Sequence, residues 1–215
     1  MAAWEELKAQ YRAFQARGLT LDMSRGKPAP EQLALSAPIL AGADMDYTCE
    51  DGSDARNYNH PLGIPEMRRL FGEMLGVAPE QVIVGGNSSL NLLSDVFTRC
   101  MLLGPLPGDT PWAQLPRVKF ICPSPGYDWH FHMLESYGVE LLPVPTLADG
   151  SDMDQVEALA RDPAVKGLIC VPMYGNPSGV TFSDEVVARL ARMEAAPDFR
   201  IFWDNAYCVH HLYPE

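Results

Sequence analysis

The sequence predicts an α/β protein, a mostly parallel sheet with helices on both faces. Three observations carry this. Strand-like runs at 81–84, 118–123, 139–145, 167–172 and 199–204 alternate with segments of helical period, which leaves room for crossover helices between parallel neighbours. Most of these runs are short and apolar throughout, as strands buried on both faces are. The last of them, Ile201 to Tyr207 (IFWDNAY), runs straight into an aspartate. That puts a carboxylate at a strand's C-terminal end, the edge at which open α/β sheets bind ligands.

Taken in order, residues 3–17 repeat apolar side chains at Trp4, Leu7, Tyr11 and Phe14 and stop at Gly18, a helix with a glycine stop signal. LDMSRGKPAP (21–30) is extended and broken by Gly26 and Pro28. It reads either as a linker or as an active-site loop bearing Arg25 and Lys27. From Leu40 to Pro61 the chain is rich in Gly, Asp and Asn with no period, and long irregular segments are functional or disordered. IPEMRRLFGEMLG (64–76) opens a helix with Pro65 in its first turn. After the short strand 81–84, GGNSS (85–89) turns into a helix with Leu90, Leu93, Val96, Phe97, Cys100 and Met101 on one face. PLPGDTPWAQLP (105–116) is a surface insertion by composition. Strand 118–123, a loop and helix over 125–138, strand 139–145, helix 152–161, strand 167–172, the turn 174–179, helix 183–195 and strand 199–204 complete the pattern.

Composition narrows the partners. At 215 residues the chain suffices for one large core, or for one domain and a smaller piece. The net charge of −12 comes without a basic cluster, which disfavours nucleic acid and anionic membranes. No apolar run approaches the roughly 20 residues that span a bilayer. The charged, amphipathic start is no signal peptide, so the expected location is cytoplasmic. Cys49, Cys100, Cys122, Cys170 and Cys208 are odd in number and widely spaced, which fits reduced core thiols.

The noteworthy polar groups fall at one sheet edge. GGNSS sits between a strand and a helix, where free amides and the helix dipole favour a phosphate and Ser88 and Ser89 add hydroxyls; a plain N-capped helix is the other reading. It is neither a Walker loop nor a dinucleotide fingerprint. Tyr127, in a Pro-Gly-Tyr turn, could stack on a planar ligand or belong to the core. Asn176 in NPSG could donate to a ligand oxygen or simply form a turn. His130 and His132 stand two apart, on different faces of a helix, and His210 and His211 lie past the last strand, so no metal site is expected.

In this order the motifs resemble fold-type I pyridoxal-phosphate enzymes, specifically class I aminotransferases. The residues that carry the resemblance are NYNHPLGIPEMRRL with Tyr58 and Gly63, GGNSS, Tyr127, Asn176 in NPSG, and the DNAY run at 204–207. LDMSRGKP together with GNSSLNLL looks most like the bacterial aspartate aminotransferase subgroup. The resemblance implies a three-layer fold, with residues 1–60 an N-terminal arm and part of a small domain and residues 61–215 the large cofactor-binding domain. It implies the cofactor pyridoxal 5'-phosphate, with Asp204 on the ring nitrogen, Asn176 and Tyr207 on the ring oxygen, Tyr127 on the ring face, and Ser88 and Ser89 on the phosphate. Tyr58 would reach the cofactor of a partner subunit, which implies a homodimer. Arg25 and Gly26 would lie near the substrate, Arg25 meeting either its carboxylate or a structural acid.

The family's cofactor-binding lysine should lie some tens of residues beyond Asp204. The chain's only lysines are Lys8, Lys27, Lys119 and Lys166, all upstream and none in that context. The expectation is therefore the N-terminal part of a longer enzyme, cut before that lysine and the C-terminal domain, with an exposed sheet edge where the last strands would pair. The implied activity is transfer of an amino group, aspartate favoured, to a 2-oxo acid. A carbon-sulfur β-lyase of the same fold shares every motif. A non-catalytic sensor half of a transcription regulator would need a basic helix-turn-helix at the start, for which there is no room.

Overall fold

The computed structural model describes residues 2–21, 26, 28–41 and 45–211. The chain divides into two compact units, Met1–Asn59 and His60–Glu215. Among the described residues no helix is long and apolar enough to cross a membrane.

In the first unit, α1 (Ala2–Ala16) forms as its period predicts. It ends before Gly18, whose φ of 62° a residue without Cβ adopts freely. Trp4, Leu7, Tyr11 and Phe14 are each more than half exposed. Two short helices follow that no period announces, α2 (Pro30–Ala34) and α3 (Ala37–Leu40). Local chemistry makes the first: Pro30 presets the opening turn, and the Gln32 side chain accepts from the Ala29 amide at 2.7 Å. Residues 45–59 are irregular, and aspartates organise them. Asp46 accepts from the Thr48 amide at 2.8 Å, and Asp54 pairs with Arg56 at 2.6 Å. The Arg56 bonds hold the Asp54 carboxyl down to about 2.

The second unit begins with α4 (Pro65–Leu75), opened by its proline and closed by Gly76 at φ 66°. The strand expected at 81–84 does not form. Pro79 starts a 3-10 turn over 79–81, and beyond it the Val84 amide donates to the Leu62 carbonyl at 2.9 Å. Helix α5 (Ser89–Leu103) comes next, with Ser88 as its N-cap. The expectation of a surface insertion over 105–116 is also corrected. Trp112 in this segment is completely buried, its ring 5.6 Å from Phe97 and 5.7 Å from Phe120. A polar, proline-rich loop is thus anchored by one aromatic that composition alone conceals.

The sheet then assembles. β1 (Lys119–Ser124), α6 (Asp128–Ser136), β2 (Glu140–Leu147), β3 (Gly150–Ser151), α7 (Met153–Ala160), β4 (Val165–Cys170), α8 (Asp184–Arg192) and β5 (Arg200–Trp203) succeed one another. The order across the sheet is β3-β2-β1-β4-β5, with β3 antiparallel to β2 and the other pairs parallel. The expected mostly parallel α/β class is what forms; only β3, a two-residue return of the chain on β2, goes unannounced.

Successive strand residues supply two cores, as a sheet covered on both faces requires. Ile121, Leu168 and Cys170 pack with Val156 and Ala160 of α7 and Val186 and Leu190 of α8. Phe120, Cys122, Ile169 and Phe202 face the other way, onto Phe97 and Cys100 of α5, Trp112 and Leu134 of α6. Helices α6 and α7 therefore cover opposite faces. The chain leaves β1 to one side for β2 and returns to its other side for β4, which makes the β1/β4 boundary the topological switch point, where open sheets leave a crevice at the strands' C-terminal ends.

Candidate active site

The loops after β1 and β4 open at that switch point, and each carries an expected residue. The β1 loop turns through Gly126, where a Cβ would meet the Pro123 carbonyl at 2.4 Å, so only glycine lets the chain fold back. Tyr127 then caps α6, and the His130 amide donates to its carbonyl at 3.1 Å. The β4 loop carries Asn176. Tyr127, His130, Cys170 and Asn176 line one cleft.

Asp204 follows β5 and meets His130, one of the residues that line this cleft. Its amide donates to the Cys170 carbonyl at 2.9 Å, extending the β4–β5 pairing one step past Trp203. Its carboxylate is held from two sides: Oδ1 accepts from the Ala206 amide at 3.2 Å, and Oδ2 lies 3.0 Å from His130 Nε2. The two side chains are 8% and 2% exposed. A carboxylate can only accept, so His130 Nε2 carries the hydrogen. The imidazole stands edge-on to the Tyr127 ring at 5.0 Å and 86°. Tyr127, His130 and Asp204 are thus one connected unit, and it fixes the direction of a buried anion.

His130 is a residue of this unit that the sequence does not single out, since its spacing from His132 speaks only to metal binding. Its signal was its position, one turn into the helix that leaves β1 at the ligand edge. The other histidines near the strand ends also have partners: His132 lies against Glu135 at 3.4 Å, His210 packs on Tyr207, and His211 meets the Tyr174 hydroxyl.

The remaining expected residues are less tightly grouped. Tyr207 is half-buried, and its carbonyl accepts from the His210 amide at 2.9 Å. Ser88 and Ser89 sit at the start of α5, where Ser88 Oγ accepts from the Asn91 amide at a long 3.4 Å. The hydroxyl hydrogen and the first-turn amides can still serve an anion, so capping and anion binding are compatible here. A Cβ on Gly85 would meet only the tip of the exposed Leu92 side chain, which can swing aside. Tyr58 belongs to the first unit and is 96% exposed. Gly26 is exposed in that same unit, and Arg25 lies outside the described residues.

Two buried thiols lie in the strands that carry the site, Cys122 in β1 and Cys170 at the end of β4. Burial, and then the nearby Asp204 charge, push the Cys170 thiol above its ordinary range, and burial pushes Cys122 up to about 12. A thiol near 12 is thiolate in about one molecule in ten thousand at pH 8, and the thiolate is the reactive form. Iodoacetamide at pH 8 is therefore expected to leave Cys122 and Cys170 unmodified in the native protein and to label both after denaturation, read by mass spectrometry of the peptides.

Comparison with known proteins agrees with the fold. The family model described as aspartate amino-transferase matches residues 1–215. The aspartate aminotransferase of Corynebacterium glutamicum is 44% identical over 213 residues, which is 98% of this chain and 49% of that protein. A crystal structure of an aspartate transaminase from the same organism superposes with a TM-score of 0.84 at 43% identity, covering 94% of this chain and 48% of that one. The α-aminoadipate aminotransferase LysN of Thermus thermophilus, solved with N-(5'-phosphopyridoxyl)-L-leucine, shares the fold at a TM-score of 0.54 and 24% identity, over 77% of this chain and 39% of its own. The chain thus spans about half the length of the relatives it matches. It belongs to the aspartate aminotransferase family.

Proposed function

We propose that the protein is a pyridoxal-phosphate-dependent aminotransferase moving the amino group of an amino acid, aspartate favoured, to a 2-oxo acid. One observation carries this reading most: a buried carboxylate just past a strand end, held by a buried imidazole that itself lines a cleft with an aromatic ring and an amide. A buried anion of this kind suits a ring nitrogen that must keep its proton, because a nearby negative charge favours the charged form. The 44% identical relative named for aspartate supports the substrate.

By their chemistry the residues present suit the cofactor group by group. Asp204 would hold the ring nitrogen, Asn176 and Tyr207 would donate to the ring oxygen, and Tyr127 would stack on the ring. Ser88, Ser89 and the first amides of α5 would take the phosphate. When bound, the cofactor supplies the electron sink that stabilises negative charge at the substrate α-carbon. His130 does the supporting work of keeping Asp204 oriented and keeping water from its Oδ2. Arg25 and Gly26 would lie toward the substrate. Tyr58 would serve the partner subunit's cofactor in a homodimer, residues 1–60 forming the arm and part of the small domain and residues 61–215 the cofactor domain.

Neither lysine of the second unit stands at this edge. Lys119 begins β1 and is bound to Asp162 at 2.8 Å, while Lys166, second in β4, is bound to Asp198 at 2.7 Å. Both lie at the opposite, N-terminal end of the strands. This favours a cofactor-binding lysine outside the described residues.

A visible spectrum of the complete protein with added pyridoxal phosphate tests the reading. The expected result is an absorption band that bleaches when an amino acid donor is added, with product formation dependent on a keto acid. Release of ammonia and pyruvate instead would identify a lyase. If no band appears and borohydride traps no cofactor, the proposal fails.

A further inference from the structure

We infer that Tyr174 and His211 form a clasp that positions the two donors of the ring oxygen, Asn176 and Tyr207. This rests on the aminotransferase reading above.

The clasp lies where backbone pairing stops. The β4–β5 ladder ends at Cys170↔Trp203, and the amide of Asp204 adds one more bond to Cys170. Beyond it the two strands give way to separate loops, one bearing Asn176 and the other Tyr207. Across the gap the Tyr174 hydroxyl lies 2.9 Å from His211 Nδ1, and the two rings meet edge to face at 6.0 Å and 85°. Tyr174 is two residues before Asn176, and His211 is four after Tyr207. The bond therefore sets the spacing of the loops next to the two groups that would share one oxygen.

The backbone argues that this side chain is placed for a purpose. Tyr174 has φ 50°, the one positive φ outside glycine among the described residues. A Cβ disfavours that region, and a glycine stands immediately after it. Such an outlier persists where its surroundings overdetermine it, and it points from structure to function. Here the Tyr174 amide donates to Thr181 Oγ1 at 3.1 Å and the Gly175 amide to the Val180 carbonyl at 2.9 Å, closing the loop on itself. The loop needs no tyrosine for that closure. The side chain instead reaches the other loop, where the His210 amide ties the neighbouring residue back to the Tyr207 carbonyl.

The test uses the complete protein, titrated with pyridoxal phosphate and, separately, with its 3-deoxy analogue, which lacks the ring oxygen. Tyr174→Phe and His211→Ala are each expected to weaken binding of the cofactor about fivefold, the scale of one net hydrogen bond. Binding of the 3-deoxy analogue stays unchanged, because the donors being positioned have nothing to bind. The double variant is no weaker than either single one, since both remove the same bond. His211→Asn, which can present an amide oxygen close to the Nδ1 position, restores affinity. Equal losses for both ligands, additive losses, or an unchanged affinity for the cofactor would each overturn the clasp. A wild-type protein that takes up no pyridoxal phosphate would overturn the aminotransferase reading instead.

Discussion

Asp204→Ala in the complete protein is expected to lower turnover roughly a thousandfold, the scale seen when one preorganised electrostatic group leaves a water-poor site. The effect should far exceed the loss of stability. Removing the carboxylate leaves His130 Nε2–H buried with no acceptor, which costs about 1–3 kcal/mol. Asp204→Asn separates the two roles of the side chain. An amide keeps a bond to the Ala206 backbone or to His130 but carries no charge, so turnover should fall nearly as far while stability is largely kept. The measurements are turnover and the urea midpoint of each variant. Equal losses of both, or an asparagine variant with full turnover, would make Asp204 a structural carboxylate and remove the central support of the proposed function.

Much of this site is legible in the sequence because buried parallel strands write themselves plainly. VKFICP, VKGLIC and RIFWD are apolar runs, and the loop residues after each run fall at one edge by topology alone. Asp204, Asn176 and Tyr127 can be found that way. His130 cannot, since its partner lies 74 residues away and only the order β1-β4-β5 brings them together. A histidine two residues from another also carries no facing signal on a helix. Trp112 was concealed by its polar neighbours, because composition averages over a segment in which one residue does the burying. The run QVIV reads as a strand by propensity, yet Pro79 starts a 3-10 turn at its threshold and the segment pairs with no strand of the sheet. Tyr174 is invisible for a further reason: its significance lies in a backbone angle, which residue type does not announce.

Gly167→Ala is expected to be the most damaging small substitution in the sheet, and its cause lies in the same β4–β5 pairing that delivers Asp204. A strand glycine reads as a weak point, since it has no side chain to pack and loses more entropy on folding. Here it is required. Gly167 pairs with Arg200 of β5 and Phe120 of β1. A Cβ would stand 2.3 Å from the Arg200 carbonyl oxygen and 2.7 Å from two carbons of the Phe120 ring. Neither neighbour can yield cheaply. The carbonyl belongs to a paired strand, and Phe120 is wedged among Phe97, Trp112 and Phe202 at ring distances of 5.4, 5.7 and 5.6 Å. Relief must come from moving β5 away, at a cost of about 3 kcal/mol, the upper part of the usual range for overpacking. The urea midpoint should fall with the slope of the transition unchanged. Because β5 carries Asp204 at its end, turnover should fall together with stability, unlike in Asp204→Asn, where it falls almost alone. A Gly167→Ala protein of wild-type stability would mean that β4 and β5 are not packed this closely. A destabilised variant with full turnover would show that the site tolerates movement of the strand that positions its carboxylate.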